Sequence, residues 1–218
     1  MRPLILINFK EYKEAVGNKS LELARTIAKV NKPNYKIVVT PSLLNLKEIV
    51  DKTSLNVYSQ HADPVSLGAQ TGHVSIEELK MLGVKGTLLN HSERKMPFPI
   101  LKKAIEMCKS KKMKVVVCAS TLSEIKKIAL LNPNFIAYEP KELIGTNISV
   151  TESKPDIIIK AVELVKEISP KTKVLCGAGI HTKEDLGHAL LLGTKGVLIG
   201  HAVPKSKDPK KFLQEMLI

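Results

Sequence analysis

The chain is poor in the residue types that most often contact nucleic acids. It has no Trp, aromatic residues make up only 4%, and Arg occurs only at Arg2, Arg25 and Arg94. Base readout and base stacking depend on Arg and on aromatic side chains. The net charge of +13 therefore comes almost wholly from Lys, which commonly lies on solvated helix faces. We expect no nucleic-acid partner, and a positive field that helps to gather an anionic small substrate.

Closely spaced cysteines and long apolar runs are also missing. Cys108, Cys118 and Cys176 stand far apart, without the Cys or His spacing of a metal site. An odd number of cysteines without a disulfide framework is typical of reduced thiols in a cytoplasm. No stretch approaches the roughly 18 apolar residues of a membrane span, and the first apolar run is too short for a signal peptide. We expect a cytoplasmic protein without metal, cofactor or membrane contact.

Eight short apolar runs recur through the chain and predict strands. Several are β-branched and continuous, such as Ile37-Val38-Val39, which suits strands buried on both faces of a parallel sheet. The runs begin near Leu4, Lys36, Leu55, Val84, Lys114, Asn134, Thr172 and Lys195. Helical patterns lie between them, with starts predicted near residues 40–42, 120–124 and 151–154.

This alternation predicts eight strand–helix units. They fit a closed (β/α)8 barrel, or else an open doubly wound sheet. The eightfold count and the lack of a nucleotide fingerprint favour the barrel. No linker or change in composition divides the chain. We therefore expect one α/β catalytic domain over residues 1–218.

Barrel enzymes place their active sites at the carboxyl ends of the strands. The polar residues predicted there are Asn8 and Lys10 after the first strand, His91 after the fourth and Glu139 after the sixth. Glycine-rich turns follow the seventh and eighth strands, at residues 177–179 and at Gly200.

Each of these residues also has an ordinary structural interpretation. Asn8 could cap a turn, Lys10 could be a solvated lysine and His91 a hydrogen-bonded core histidine. The glycines could serve tight turns only. Glu139 is harder to explain in this way, because a carboxylate that ends a buried strand must be solvated or partnered.

Taken together, the set fits proton transfer next to a carbonyl group. Such a reaction needs a carboxylate base, for which Glu139 qualifies, and a donor to the carbonyl oxygen, for which His91 qualifies. Lys10 supplies a fixed cation for an anionic substrate. Backbone N–H groups after the last two strands can cradle a phosphate.

Motifs in the same order along the chain resemble those of triosephosphate isomerases. Asn8-Phe9-Lys10 resembles the family's first motif, and residues 91–94 read H-S-E-R. Residues 137–140 read A-Y-E-P and precede Ile144-Gly145-Thr146, which resembles the family's mobile loop. Residues 68–72 are similar to the G-A-x-T-G segment that reaches into a neighbouring subunit.

The resemblance implies a TIM barrel and a role for each residue. Glu139 is implied as the base, His91 as the electrophile, and Asn8 and Lys10 as substrate-binding groups that stabilise the enediolate. The implied substrate contacts are Ile144, Gly145, Gly177, Gly179, Gly200 and His201. Ser92, Glu93 and Thr71 are implied to be supporting residues, with Thr71 acting across a subunit interface. Residues 140–146 are implied to form a lid, and a helix near Ser92 is implied to hold His91 neutral.

The chain also departs from the family's usual pattern. It is shorter than the common form, partly between Arg94 and Leu101, where Pro97 and Pro99 stand in place of a usual helix. The seventh loop lacks the common serine, and Gly200-His201 stands where many members have two glycines. These features resemble the compact archaeal branch, which implies a homotetramer and leaves the phosphate contacts open.

Two other enzyme classes would share part of this pattern. Another phosphate-binding barrel enzyme, such as a phosphoribosylanthranilate isomerase or an indole-glycerol-phosphate synthase, would share the phosphate cradle but not the pairing of His91 with Glu139. A nicotinamide dehydrogenase is excluded, because Thr182 stands where a third glycine is needed and the turn follows the wrong strand. We predict an aldose–ketose isomerase that acts on a triose phosphate, in glycolysis and gluconeogenesis.

Overall fold

The computed structural model describes residues 1–140 and 155–217, and in them eight strands alternate with helices. The strands are β1 (Leu4–Asn8), β2 (Lys36–Thr40), β3 (Asn56–Ser59), β4 (Gly86–Leu89), β5 (Lys114–Ala119), β6 (Phe135–Tyr138), β7 (Lys173–Cys176) and β8 (Gly196–Ile199). The helices are α1 (Asn18–Ala28), α2 (Leu46–Lys52), α3 (Ile76–Met81), α4 (Phe98–Ser110), α5 (Leu122–Ala129), α6 (Pro155–Ile168), α7 (Lys183–Leu191) and α8 (Pro209–Met216). A 3₁₀ turn, Leu43–Asn45, precedes α2.

The strands pair in sequence order, all parallel, and β8 pairs with β1 to close the ring. The closed ring confirms the predicted (β/α)8 TIM barrel and excludes the open sheet. Each strand begins within two residues of its predicted start. The prediction succeeds because strands of a barrel are buried on both faces, so their apolar runs are continuous.

The apolar core has two layers separated by the strands. All five residues of β1 are buried, and alternate residues point to opposite sides of the sheet. An inner cluster takes at least one residue from every strand and fills the barrel; its members are Leu4, Leu6, Val38, Tyr58, Leu88, Val116, Cys118, Ala137, Leu175 and Leu198. The larger outer cluster joins the other strand faces, including Ile5 and Ile7, to the helices.

Polar caps fix where several helices begin. The hydroxyl of Thr121 accepts the N–H of Glu124 at the start of α5, as the sequence predicts. Thr182 and Asp185 form a reciprocal capping box at α7. The predicted start at residues 40–42 is followed by the 3₁₀ turn and α2. The predicted start at residues 151–154 lies outside the described residues.

The sequence also predicts that the chain has no membrane span and no disulfide framework. None of the helices among the described residues is both long enough and apolar enough to cross a membrane. All three cysteines are free thiols and buried.

Barrel closure depends on a glycine at the start of β8. Gly196 pairs with Leu4 of β1 and has a φ of +139°. A Cβ atom at this position would overlap the backbone of Leu4, chiefly its carbonyl oxygen. Because the three nearest atoms are all backbone atoms of a barrel strand, rotation of a side chain cannot relieve the overlap.

We therefore expect Gly196→Ala to lower the free energy of unfolding by at least about 3 kcal/mol. Gly187→Ala is the matched control, since Gly187 lies within α7 and a Cβ there meets no atom within 4 Å. This control should stabilise the protein by about 0.5–1 kcal/mol. Urea unfolding of both variants gives the comparison. Equal stability of the two variants would contradict the account of closure.

Candidate active site

Side chains from several strand ends meet in one cavity at the carboxyl end of the barrel. Asn8, His91 and Glu139, from the ends of β1, β4 and β6, are all buried. Lys10 and the loops after β7 and β8 complete the wall. The residues that line the cavity are Asn8, Lys10, Tyr12, His91, Glu139, Gly177–His181 and Leu198–Ala202. The structure thus brings the predicted base, electrophile and cation together.

Glu139 is held at the edge of the sheet by its backbone. Its N–H donates to the carbonyl of Ala119 at the end of β5, at 2.8 Å. Its Oε1 lies 3.5 Å from Nε2 of His91. Its Oε2 is buried and has no hydrogen-bond partner among the described residues. A buried carboxylate oxygen without a donor is costly in a structural role, and it is free to accept a proton.

Gly177 provides the space through which the Glu139 side chain passes. A Cβ at residue 177 would overlap Cγ of Glu139 and lie 3.0 Å from the carbonyl oxygen of Tyr138. The N–H of Gly177 already donates to that carbonyl, at 2.9 Å. Gly177 lines the cavity as predicted, but this N–H is part of the sheet and is not free for a phosphate.

The tautomer of His91 follows from its hydrogen bonds. The backbone N–H of Glu93 donates to Nδ1 of His91 at 3.2 Å, so Nδ1 has no proton. A Glu93 carboxylate oxygen also lies 3.5 Å from Nδ1. That carboxylate is largely exposed and already binds Lys10, so the backbone bond decides the tautomer. The proton of the neutral ring is then on Nε2, which faces Glu139.

The prediction of a helix near Ser92 is wrong. Residues 92–94 form a turn, in which the N–H of Arg94 donates to the carbonyl of His91 at 2.8 Å. Pro97 prevents a helix here, because it lacks the N–H needed to bond to the carbonyl of Glu93 and keeps Met96 out of the helical conformation. The next helix, α4, begins at Phe98. A single turn N–H therefore supplies the donor expected from a helix N-terminus.

Asn90 holds this turn, and the sequence analysis missed it. Its Nδ2 donates to the carbonyl of Cys118 at 2.9 Å, and its Oδ1 accepts the N–H of Met96 at 3.0 Å. Asn90 has a φ of +58°, a conformation that Asn adopts more readily than most residues. An Asn that follows a predicted buried strand, directly before the candidate His91, is the signal that could have identified it.

Lys10 is oriented by its own backbone and by Glu93. Its φ is +48°, and its N–H donates to Oδ1 of Asn8 at 3.0 Å. Its Nζ lies 2.7 Å from Oε1 of Glu93. Burial alone would lower the pKa of Lys10, but the hydrogen bond and charge of Glu93, with weaker effects from Tyr12 and Glu139, raise the pKa overall. Lys10 is thus a fixed cation and not one more solvated lysine.

Two further residues that the sequence analysis did not identify support β1. Thr40 donates its hydroxyl to Oδ1 of Asn8 at 3.2 Å. Gln60 donates from Nε2 to the carbonyls of Lys10, at 3.0 Å, and of Thr40, at 3.2 Å. These contacts join residues up to 50 positions apart, so no local sequence pattern could have shown them.

The loops after β7 and β8 form the other wall of the cavity. Gly179 has a φ of +65°, which favours glycine. Gly200 lies against the side chain of Lys10, where a Cβ would be 3.6 Å from Cε. His201 lines the cavity as predicted, and His181, which the sequence analysis did not single out, lies beside it.

The remaining predicted residues do not line this cavity. Ser92 is half-buried next to His91, and its Oγ has no partner among the described residues. Thr71 lies in an exposed segment, residues 66–73, away from its own chain's cavity. Ile144, Gly145 and the rest of the proposed lid beyond Pro140 lie outside the described residues.

The thiol of Cys118 lies close to the carboxylate of Glu139. Burial, and then the charge of Glu139, raise the pKa of Cys118 well above its usual value, so it remains a neutral thiol. Residues 1–140 and 155–217 contain no group of three or more His, Cys, Asp or Glu side chains placed to hold a metal ion.

Comparisons with known proteins agree with this geometry. The family model described as Triosephosphate isomerase matches residues 3–216. The triosephosphate isomerase of Methanocaldococcus jannaschii is 41% identical over 215 residues, which cover 98% of each chain. That of Methanothermus fervidus is 40% identical over 217 residues, covering 99% of this chain and 98% of its own. That of Archaeoglobus fulgidus is 37% identical over 215 residues, covering 98% and 96%. With a barrel, a cavity and relatives of this kind over its whole length, the chain belongs to the triosephosphate isomerase family.

Proposed function

We propose that this chain interconverts dihydroxyacetone phosphate and D-glyceraldehyde 3-phosphate by proton transfer through an enediolate. The observation that carries the proposal is the contact between a buried carboxylate, Glu139, and the Nε2 side of His91, 3.5 Å apart in the same cavity. The reaction belongs to glycolysis and gluconeogenesis. The test is a coupled isomerase assay of the purified chain without added metal or cofactor.

Glu139 is the base in this proposal. It takes the proton from the carbon next to the carbonyl and returns it to the neighbouring carbon. Its Oε2 has no donor among the described residues, so a lone pair is available. The Glu139 side chain is itself buried, which limits competition from water.

His91 is the electrophile that donates to the carbonyl oxygen. The N–H of Glu93 at Nδ1 leaves the ring proton on Nε2, the side that faces the cavity. A neutral imidazole donor can stabilise the developing oxyanion and then shuttle a proton between the two oxygens.

Lys10 and Asn8 bind the substrate and stabilise the developing charge. The ammonium group of Lys10 is fixed by Glu93, and Asn8 is fixed by Thr40 and by the N–H of Lys10. Ser92 and Glu93 support this arrangement from the turn after β4. The phosphate lies at the loops after β7 and β8, where Gly179, Gly200 and His201 line the cavity.

The active assembly is a homo-oligomer, with a tetramer expected. A second cavity lies on the other side of Lys10, lined by Asn8, Lys10, Glu11, Leu43, Gln60, His61, Leu88, His91, Glu93 and Arg94. In this proposal the exposed segment 66–73 of another copy enters this cavity, where Thr71 contacts Asn8 and Lys10. The bonds of Asp63 support the segment, because its N–H donates to Val74 and its carboxylate accepts from Val74 and pairs with His61.

A cytoplasmic location fits the chemistry of the thiols. Three buried, unpaired cysteines persist most readily in a reducing compartment.

Glu139→Gln should lower kcat by about 10²- to 10⁴-fold, because the amide cannot take the proton. Glu163→Gln makes the same change at an exposed position of α6, and it should leave kcat unchanged. Steady-state assays in both directions supply the measurement. Near wild-type turnover by the Glu139 variant would mean that another group is the base.

Lys10→Met should raise KM and lower kcat together, reducing kcat/KM by about 10²-fold or more. The ammonium group contacts an anionic substrate and also the charge that develops during reaction. Lys13→Met is the control, since the side chain of Lys13 is 88% exposed. If both kinetic parameters stayed unchanged in the Lys10 variant, Lys10 would be a surface charge without a role in the reaction.

Thr71→Arg should dissociate the assembly and lower kcat, because it brings a third cation against Lys10 and Arg94 of the neighbouring copy. Thr71→Ser keeps the hydroxyl and should retain both assembly and turnover. Light scattering at assay concentration, with activity measured on the same sample, separates these outcomes. A fully active wild-type monomer would defeat the proposed assembly.

A further inference from the structure

Two histidines from different loops lie side by side in the substrate cavity. His181 follows β7 and His201 follows β8, and their ring centroids are 5.4 Å apart with planes tilted by 48°. Both line the same cavity as Glu139 and Lys10. The steps proposed above give His181 no role and do not specify what the ring of His201 contributes.

Asp185 holds the backbone of His181, and one nitrogen of the His181 ring has no hydrogen-bond partner among the described residues. Its backbone N–H and that of Thr182 both donate to Oδ2 of Asp185, each at 2.9 Å. Its Nε2 is buried and has no partner among the described residues. A buried ring nitrogen without a partner is unfavourable unless a ligand supplies one.

His201 lies in a positive environment. Burial lowers its pKa first, followed by the neighbouring His181 and the charges of Lys205 and Lys10. The ammonium group of Lys205 lies 4.4 Å from the ring centroid of Tyr12, which also faces the cavity. The titratable and charged groups that face the pair are Lys10 and Tyr12 from the loop after β1, His91, Glu139, Lys205 and, behind His181, Asp185.

These surroundings predict opposite charge states for the empty and occupied cavity. With no anion present, the lowered pKa of His201 favours the uncharged form of its ring. A dianion placed against the pair favours the charged imidazolium and so raises the same pKa. Binding of the anion and protonation of the ring therefore strengthen each other.

We propose that His181 and His201 form a paired imidazole site for the substrate phosphate, and that His201 takes up a proton from solvent as the phosphate binds. Nε2 of His181 provides the second contact. The proposal rests on the proposed function, since it assigns the phosphate end of the same substrate. Loops after the last two strands of such barrels frequently bind phosphate, and here two ring side chains reinforce the backbone.

The proton is not consumed in turnover. It enters with the phosphate and leaves when the product, which carries the same phosphate, is released. Affinity for the anion is greatest at pH values where the bound form is protonated, and it falls as pH rises through the pKa of His201 in the occupied cavity.

Sulfate is the probe that tests the pair, because it remains fully ionised while a phosphate ester itself titrates near neutral pH. Isothermal titration of the wild-type protein at about pH 6.5, in two buffers of different ionisation enthalpy, measures protons taken up with each sulfate. We expect about half a proton to one proton per sulfate, and weaker binding at about pH 8.

Three variants assign the effect. His201→Gln should abolish the proton uptake, whereas His181→Gln should weaken sulfate binding about tenfold and retain uptake. His188→Gln, on the exposed face of α7, should match the wild type. Proton uptake that persists in His201→Gln, or sulfate binding unaffected by both cavity variants, would overturn the proposal.

An isomerase assay of the wild type distinguishes a failure of the proposed histidine pair from a failure of the proposed function. An active isomerase whose sulfate binding takes up no proton refutes the histidine pair and leaves the proposed function intact. Proton-linked sulfate binding by a chain that does not isomerise triose phosphates supports the pair and refutes the proposed function.

Discussion

The geometry of the whole site depends on the absence of a side chain at residue 177, which leaves space for the carboxylate of Glu139. Glu139 ends a strand buried on both faces, and its side chain reaches His91 only because residue 177 has no Cβ. The barrel places Gly177 beside Glu139, because β6 and β7 are neighbouring parallel strands whose carboxyl ends lie at the same edge of the sheet. Burial then leaves one carboxylate oxygen without a donor among the described residues, which is unfavourable for a structural carboxylate and useful for a base.

Glu93 couples the two other reactive groups. Its backbone N–H fixes the tautomer of His91, and its carboxylate holds the ammonium group of Lys10. One turn after β4 therefore sets both the donor and the cation. Asn90 anchors that turn to the carbonyl of Cys118 at the end of β5, so the positions of the donor and the cation depend on contacts with the barrel strands.

The sequence predicted the parts of this structure that depend on local patterns. Continuous apolar runs predicted all eight strands. The polar residues predicted at the strand ends, Asn8, Lys10, His91 and Glu139, line one cavity. Local patterns did not predict the features that depend on contacts between distant residues or on the effect of a single proline. The helix expected at Ser92 is a turn because of Pro97, and the contacts of Gln60 and the pairing of His181 with His201 join residues distant in the chain.

Turnover of dihydroxyacetone phosphate in heavy water, with the products analysed by NMR, tests whether Glu139 acts as the base. If Glu139 removes a proton and returns it through an enediolate, the carboxyl group exchanges with solvent. Deuterium should then appear at carbon 2 of the glyceraldehyde 3-phosphate formed, and at carbon 1 of substrate recovered before completion. Product that carries no deuterium would contradict the account, because the hydrogen would have moved directly between the carbons and not through a base.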